Sequence, residues 1–338
     1  MFKEVKEWTQ TISLYLSIFF NSILILLVLT KSPKKMGTYK FLMMYFSMVS
    51  INLSILDYFL NISTVNMSNC FIIFMQKDLN GLSQHLNHIL LCVTCGFYSL
   101  IIAIIAVHFV FRYFAIERKG KLKYFRGIYL FAWLCIPIIF CAIWTATIYF
   151  FLTPGKLIED EISSEVFKDY NLTIDQIVYV GGSWRDQNGE INTYIAKVSV
   201  IFGAIMTISV LTVSFFGFRI YHLIQNLIKK GRSEFTRNLQ KQLYKALILQ
   251  TIIPVIMLYL PVGCFIFLPF FVKHAKIVGN IVNIGYAIYP VLDPLPTLLI
   301  IDNYRRAILY VICFCPDQKV GPMERSNSES RATTTVDN

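Results

Sequence analysis

The chain alternates between long apolar stretches and short polar segments. Seven stretches reach the length of about 20 residues that a helix needs to cross a bilayer. Backbone amides in lipid must be paired within their own segment, so these stretches are predicted to be helices. The predicted spans are residues 9–30, 41–62, 88–111, 127–152, 198–220, 246–272 and 277–301. The pattern predicts an all-α membrane protein, a seven-transmembrane-helix bundle formed by residues 1–301.

The segment after the seventh span, residues 302–315, is too short to cross the bilayer. Its charged and apolar residues predict an amphipathic helix on the inner membrane surface. Cys313 and Cys315 are candidate palmitoylation sites, and the alternative is that they simply dip into the interface. The polar residues 316–338 predict a disordered cytoplasmic tail.

The basic residues predict the orientation of the bundle. Residues 31–40, 112–126, 219–245 and those after 301 hold 22 of the 31 Lys and Arg residues. Cytoplasmic loops collect Lys and Arg, so these segments are predicted to lie inside and the N-terminus outside. The sequons at Asn66 and Asn171 fall on the predicted outer face, where glycosylation occurs.

Composition narrows the possible functions. Hydrophobic residues make up 56% of the chain and charged residues 15%, unlike a soluble domain. The net charge of +11 arises beside the spans, where membrane lipid rather than nucleic acid is the expected partner. The sequence has no phosphate loop, no metal-ligand spacing and no nucleophile motif, so neither an enzyme nor a cofactor is expected. The sequence does not decide whether Cys70 and Cys92 form a disulfide.

Two carboxylates lie within predicted spans, where ionisable groups are costly. Asp57 lies in the second span, and Asp293 in the seventh, directly before Pro294. One interpretation is a hinge that changes between two states. The alternative is a satisfied polar contact between helices.

The inner end of the third span carries a second candidate group. His108 and Arg112 are four residues apart and share one face of the helix. A guanidinium at this depth is able to bond a partner's helix-end carbonyls. The alternative is a snorkelling arginine at the interface.

The sixth span is predicted to extend beyond the inner face. Lys241 and Lys245 belong to a basic stripe, and Leu239 and Leu243 to an apolar stripe at the same spacing. This extension is predicted to receive a helix of another protein. The alternative is a solvated basic face. Pro254 and Pro261 predict a kink farther along the span.

An outer cavity between the helices is the expected ligand site. Its candidate lining residues are Asp57, Tyr98, Tyr149, Met206, Tyr259 and Tyr286.

Several motifs resemble one family. They are GTYKFLM at 37–43, VHFVFRYFA at 107–115, LQKQLYKAL at 239–247, LQTIIP at 249–254, YPVLDPL at 289–295 and DNYRR at 302–306. With them, the chain resembles the nematode serpentine chemoreceptors of the str class and is similar to the diacetyl odorant receptor type.

The resemblance implies a G-protein-coupled receptor that binds a small molecule and activates a heterotrimeric G protein. It also implies a plasma-membrane location, in the cilia of chemosensory neurons. His108, Arg112 and Tyr113 match the Asp-Arg-Tyr switch of rhodopsin-like receptors, although no acid precedes Arg112. Asp293 and Pro294 match the Asn/Asp-Pro hinge. The rival hypotheses are a ligand-gated ion channel, whose N-terminus would lie inside, and a membrane transporter.

Overall fold

The computed structural model describes residues 2–33, 36–67, 69–78, 80–117, 121–125, 127–229, 234–271 and 276–313. The elements in chain order are α1 Phe2–Thr30, α2 Tyr39–Leu60, β1 Ser63–Met67, β2 Cys70–Gln76, α3 Gln84–Glu117, α4 Ile128–Phe151, α5 Lys156–Tyr170, β3 Ile177–Ser183, α6 Thr193–Lys229, α7 Glu234–Pro254, α8 Leu260–Phe271, α9 Lys276–Leu292, α10 Leu295–Ile300 and α11 Asp302–Cys313. The predicted tail, residues 316–338, lies outside the described residues, as does Cys315.

The helices confirm the predicted bundle. Within the described part of the chain, six helices are long and apolar enough to cross a bilayer, and a seventh span is formed by a bent pair. The two parts of that pair, Ile277–Ile300 and Asp302–Val311, meet at 97°. Helix α11 therefore turns away from the seventh span, as expected for a helix along the membrane surface.

The third helix is the centre of the bundle. Two-thirds (67%) of the most apolar window of α3 is buried, against 11% for α4. Apolar side chains along α3 from Leu91 to Ile116 form one core, the outer core, and a second group around Val107, Val110 and Phe111 forms the inner core. The words outer and inner follow the predicted orientation. Burial of α3 on all sides explains its uniform hydrophobicity, whereas α4 is apolar because it faces lipid.

The helical winding of the sixth span changes at one of the two prolines for which a kink was predicted, Pro254. Helix α7 begins at Glu234, before the apolar stretch, and ends at Pro254. A π-helical turn, Val255–Tyr259, follows and leads into α8. Proline removes an intrahelical hydrogen bond. The backbone is therefore able to change here from α-helical to the wider π-helical hydrogen bonding. We call Val255–Tyr259 the π-turn.

A three-stranded antiparallel sheet covers the end of the bundle where α2 ends and α3 begins. Strand β2 lies between β1 and β3, with Val65 opposite Ile72 and Phe74 opposite Tyr179. Helix α5 packs on this sheet through Ile158, Ile162, Val166 and Tyr170. The hydrophobic pattern did not predict the sheet. Strands β1 and β2 form a local hairpin but are short, and β3 pairs with β2 over about a hundred residues.

Candidate functional site

A cavity lies in the half of the bundle that the sheet covers. Residues from α2, α3, α4, α6, α8 and α9 form its walls, and Thr64, Phe71 and Ile73 of β1 and β2 contribute from the sheet. Its volume is about 80 Å³, and its lining is predominantly apolar. An apolar cavity with a few polar groups is the usual form of a small-molecule site.

The structure brings only half of the predicted ligand residues to this cavity. Asp57, Tyr98 and Tyr286 line it. The other three positions do not line it: Tyr149 packs against His88, Met206 packs in the outer core, and Tyr259 lies beyond Tyr98. Helical spacing identifies a buried face but not which neighbour covers it.

Several lining residues were not foreseen. Trp144 stacks on Phe202 with ring centroids 3.8 Å apart, and this pair joins α4 to α6 in the cavity wall. Phe265 of α8 and Asn283 of α9 also line the cavity. In a chain with 28 Phe and 19 Tyr residues, aromatic character alone does not single these positions out.

A buried polar cluster surrounds Asp57. Gln10 of α1 donates from Nε2 to Asp57 Oδ2 at 3.2 Å. Lys6 is also buried, attracts the Asp57 carboxylate, and donates from Nζ to Asn61 Oδ1 and Ser63 Oγ, each at 2.6 Å. A buried carboxylate is therefore balanced by a buried ammonium. Lys6 was missed because it precedes the predicted first span.

The cavity is connected to the π-turn of the sixth span. Tyr98 in the cavity wall lies 6.1 Å, ring to ring, from Tyr259 of the π-turn, whose hydroxyl pairs with that of Ser209 at 2.9 Å. Behind the turn, a Cβ added at Gly285 would lie 2.5 Å from the Met257 carbonyl oxygen. Close approach of α9 thus depends on glycine, and the π-turn is held from both sides.

The inner end of α3 holds Arg112 inside the protein. Its guanidinium lies 4.0 Å from the ring centroid of Tyr39 and donates from Nη1 to Gln240 Oε1 of α7 at 3.3 Å. The residue is 3% exposed, which excludes the snorkelling interpretation for this conformation. Among the described residues, Nε and Nη2 of Arg112 have no hydrogen-bond partner, so the guanidinium keeps donors to offer.

His108 and Tyr113 of α3 contact different parts of the protein. His108 is buried against α2, with Nε2 3.3 Å from the Leu42 carbonyl oxygen and its ring against Tyr39. The hydroxyl of Tyr113 donates to Glu117 of the same helix at 3.2 Å. Only His108 therefore belongs with Arg112 in the buried group.

The apolar part of the predicted docking stripe on the sixth span is buried in this conformation. Leu239 and Leu243 are buried in the inner core of the same chain, Leu243 with 2% exposure, so they are not open to a partner in this conformation. Lys245 is exposed and Lys241 is half-buried. An apolar stripe at helical spacing fits either a docking face or a core, and here it is a core.

The glutamines between those leucines make the contacts that hold α7. Besides the bond of Gln240 to Arg112, the side chain of Gln242 donates to Asp302 Oδ2 at 2.5 Å and accepts from the Asp302 backbone N at 3.1 Å. We call the Arg112–Gln240 and Gln242–Asp302 contacts the inner clamp. The sequence motif contains both glutamines, yet their role was not predicted.

Asp293 and Pro294 lie at a break in the seventh span. Helix α9 ends at Leu292 and α10 begins at Leu295. Asp293 is buried; its Oδ2 accepts from Ser50 Oγ at 3.4 Å, and its carbonyl accepts from Gln250 Nε2 at 3.2 Å. The residue thus joins the second, sixth and seventh spans, a contact that fits both interpretations made from the sequence.

The two sequons differ sharply in accessibility. Asn66 is fully buried, and its Nδ2 donates to the Phe265 carbonyl oxygen at 2.9 Å. Because a glycan is attached to that nitrogen, glycosylation of Asn66 is incompatible with this packing and the prediction is corrected. Asn171 is exposed at the C-terminus of α5.

We therefore expect a glycan on Asn171 alone of these two sites. In glycosylating cells, Asn171→Gln should remove the glycosidase-sensitive shift in electrophoretic mobility. The matched change Asn66→Gln should leave the shift intact while lowering the yield of folded protein. A shift that disappears with Asn66→Gln and persists with Asn171→Gln would contradict the packing of Asn66 and support the original prediction.

The structure bears on the possible Cys70–Cys92 disulfide but not on the palmitoylation candidates. Cys70 and Cys92 are both buried free thiols, so the bond between them is not formed. Burial raises the pKa of the Cys70 thiol to about 12, and its Sγ donates to Glu161 at 3.5 Å. The palmitoylation candidate Cys315 and the side chain of Cys313 lie outside the described residues.

Comparison with known proteins places this architecture among nematode receptors. The sequence model of the serpentine type 7TM GPCR chemoreceptor Str family matches residues 6–309. "Serpentine receptor class r-10" of Caenorhabditis elegans is 30% identical over 94% of this chain and 91% of its own. "G-protein coupled receptor str-217" of the same species is 26% identical over 88% and 87%. The match covers the cavity and the inner clamp alike.

Proposed function

This chain belongs to the Str family of serpentine seven-transmembrane chemoreceptors, and we propose that it binds a small molecule in the cavity and activates a heterotrimeric G protein. It is a multi-pass membrane protein of a receptor family, not an enzyme family. We further propose a plasma-membrane location with the N-terminus outside, in chemosensory cilia.

The proposal rests on one observation: the sixth span contributes residues both to the cavity and to the inner clamp. Val262, Phe265 and Ile266 of the sixth span line the cavity, while Gln240 and Gln242 of the same span form the inner clamp. The π-turn lies between them. A ligand that binds more tightly when α8 has moved would favour the state in which α7 has moved as well. The equilibrium between the two states would shift by the difference in the ligand's binding free energy for them.

Opening of the inner clamp would create the surface for the G protein. Arg112 would lose Gln240 and present its forked donors to helix-end carbonyls of the partner. Leu239 and Leu243 would be uncovered at the same time, and Lys241 and Lys245 would border them. The apolar stripe then serves as a core in the closed state and as a docking face in the open state.

The channel and transporter alternatives are not favoured by the family. A channel would conduct ions without a G protein, and a transporter would move the ligand across the membrane. The cavity is lined from the half of the bundle that the sheet covers, and its lining does not include Arg112, Tyr39 or Gln240.

Nucleotide exchange with a variant that fills the cavity tests the proposal. In membranes with the receptor and purified G protein, some small compounds should accelerate GDP release. Val282→Phe adds atoms to the cavity wall and should abolish the response. Val200→Phe adds the same atoms at a site that is 71% exposed and should leave it unchanged. A response that survives Val282→Phe, or ionic currents without G protein, would contradict the proposal.

A further inference from the structure

A groove lies on the side of the bundle between α6 and α7, apart from the cavity. Its volume is about 440 Å³, and its lining is predominantly apolar. The buried ring of Phe109 from α3 forms its floor, while Phe218 and Tyr221 on its α6 side are exposed. Both helices belong to spans long enough to cross a bilayer. The groove is therefore open toward the lipid that surrounds the bundle.

The walls of the groove offer little that would bind water. The hydroxyl of Thr251 donates to the Leu247 carbonyl oxygen of its own helix at 2.8 Å. On the opposite wall, a Cβ added at Gly217 would lie 3.2 Å from Phe109 Cε1, so the α6 backbone itself approaches the floor closely. A buried water needs polar partners, so hydrocarbon is the expected occupant of this recess.

The groove has the length of one membrane leaflet. Tyr244 lines one end of it, and Val255 of the π-turn lines the other. These two positions are about 16 Å apart along a helix that rises 1.5 Å per residue. One leaflet contributes about 15 Å of hydrocarbon, half of the bilayer core. The hydroxyl of Tyr244 donates to the Gly217 carbonyl oxygen at 3.2 Å, which joins the two helices at the inner end. One extended acyl chain therefore matches the groove in length.

A lysine follows the groove at its inner end. Lys241 precedes Tyr244 by three residues and Ile248 by seven, so it lies on the same face of α7, one turn nearer the inner surface. It is half-buried, and among the described residues it has no ion-pair or hydrogen-bond partner. A lysine in this position extends its ammonium toward the lipid headgroups while its stem stays on apolar surface.

We propose that this groove binds one anionic phospholipid of the cytoplasmic leaflet, with an acyl chain over Phe109 and the phosphate at Lys241. A phosphate accepts strong charge-assisted hydrogen bonds from an ammonium, and the cytoplasmic leaflet is the one that carries anionic lipid. A sterol has one hydroxyl and no charge, and would leave Lys241 unpaired. The choice of leaflet rests on the proposed orientation, whereas the groove itself depends on neither the ligand nor the G protein.

Photo-crosslinking locates the lipid. The probe is phosphatidylserine with a diazirine in one acyl chain, and the full-length receptor is placed in phosphatidylcholine nanodiscs. We expect crosslinks within residues 213–221 and 244–255. Replacement of phosphatidylcholine by unlabelled phosphatidylserine, at a constant fraction of probe, should suppress them. Crosslinks to the exposed Ile138, Ile139 and Ile143 of α4 report bulk lipid and should stay constant.

Two pairs of variants test the groove and its charge. Ser214→Trp fills the groove and should remove the suppressible crosslinks, whereas Leu211→Trp adds the same ring at an exposed α6 position outside the lining and should not. Lys241→Met keeps the stem, and should raise the phosphatidylserine fraction needed for half-maximal suppression by about five-fold. Arg219→Met removes a cation that lies over Phe215, outside the groove, and should change it less than about two-fold.

The outcomes decide the inference. Equal suppression at the groove and at α4, suppression by cholesterol as strong as by phosphatidylserine, or competition that is unchanged in both Ser214→Trp and Lys241→Met would overturn it. Selective suppression by phosphatidylserine that depends on Lys241 would support it. The same result in a receptor that never accelerates GDP release would support the lipid site and contradict the proposed function.

Discussion

Replacement of Arg112 by alanine is expected to reduce ligand-stimulated GDP release to the level without receptor. Arg112 is the cation that the inner clamp holds beneath the cavity, stacked on Tyr39 and bonded to Gln240. Bonds to a charged group are worth roughly 1.5–3 kcal/mol each, so loss of several to the partner would lower coupling by well over ten-fold. Exchange on purified G protein, at equal receptor amounts, measures the effect.

Two control variants accompany this change. Arg219→Ala removes an exposed arginine from α6 and should leave exchange unchanged. Arg112→Lys keeps the charge but not the planar fork, and should recover only a part of the activity. Thermal shift by the ligand should persist in Arg112→Ala, since the cavity lies in the other half of the bundle. Normal exchange in Arg112→Ala would mean that Arg112 serves packing alone.

The fold was predictable wherever it depends on the length of apolar segments. The bilayer sets that length, so seven spans could be located and α11 recognised as too short to cross. Strand β2 was not recognised, because Cys70–Gln76 is a short apolar run whose pairing with Ile177–Ser183 joins residues about a hundred positions apart. Such pairing has no local signature.

The site was predictable only where charge marks a position as costly. Arg112, Asp57 and Asp293 were identified because an ionisable group within a membrane span costs free energy and is therefore a candidate functional residue. Gln240, Gln242 and Asn283 were missed because uncharged amides are common on helix surfaces and their burial follows only from packing. For the same reason, Leu239 and Leu243 were assigned to a partner rather than to the closed core.

Loss of the inner clamp is expected to activate the receptor without ligand. Gln240→Met and Gln242→Met keep the side-chain length and remove the bonds to Arg112 and Asp302. Each variant leaves a charged partner with one contact fewer, which costs roughly 1.5 kcal/mol or more in the closed state. Basal GDP release should rise by about ten-fold in each variant, until the open population saturates.

The combination of the two variants distinguishes a clamp from general destabilisation. If both contacts oppose the same movement of α7, the double variant should exceed either single change, and added ligand should increase exchange little further. Lys245→Met alters an exposed residue of the same helix and should leave basal exchange unchanged. Unchanged basal exchange in the double variant would show that the buried leucines, not the glutamines, hold α7 closed. Leu243→Ala, which costs about 2–5 kcal/mol of packing, would then be the activating change.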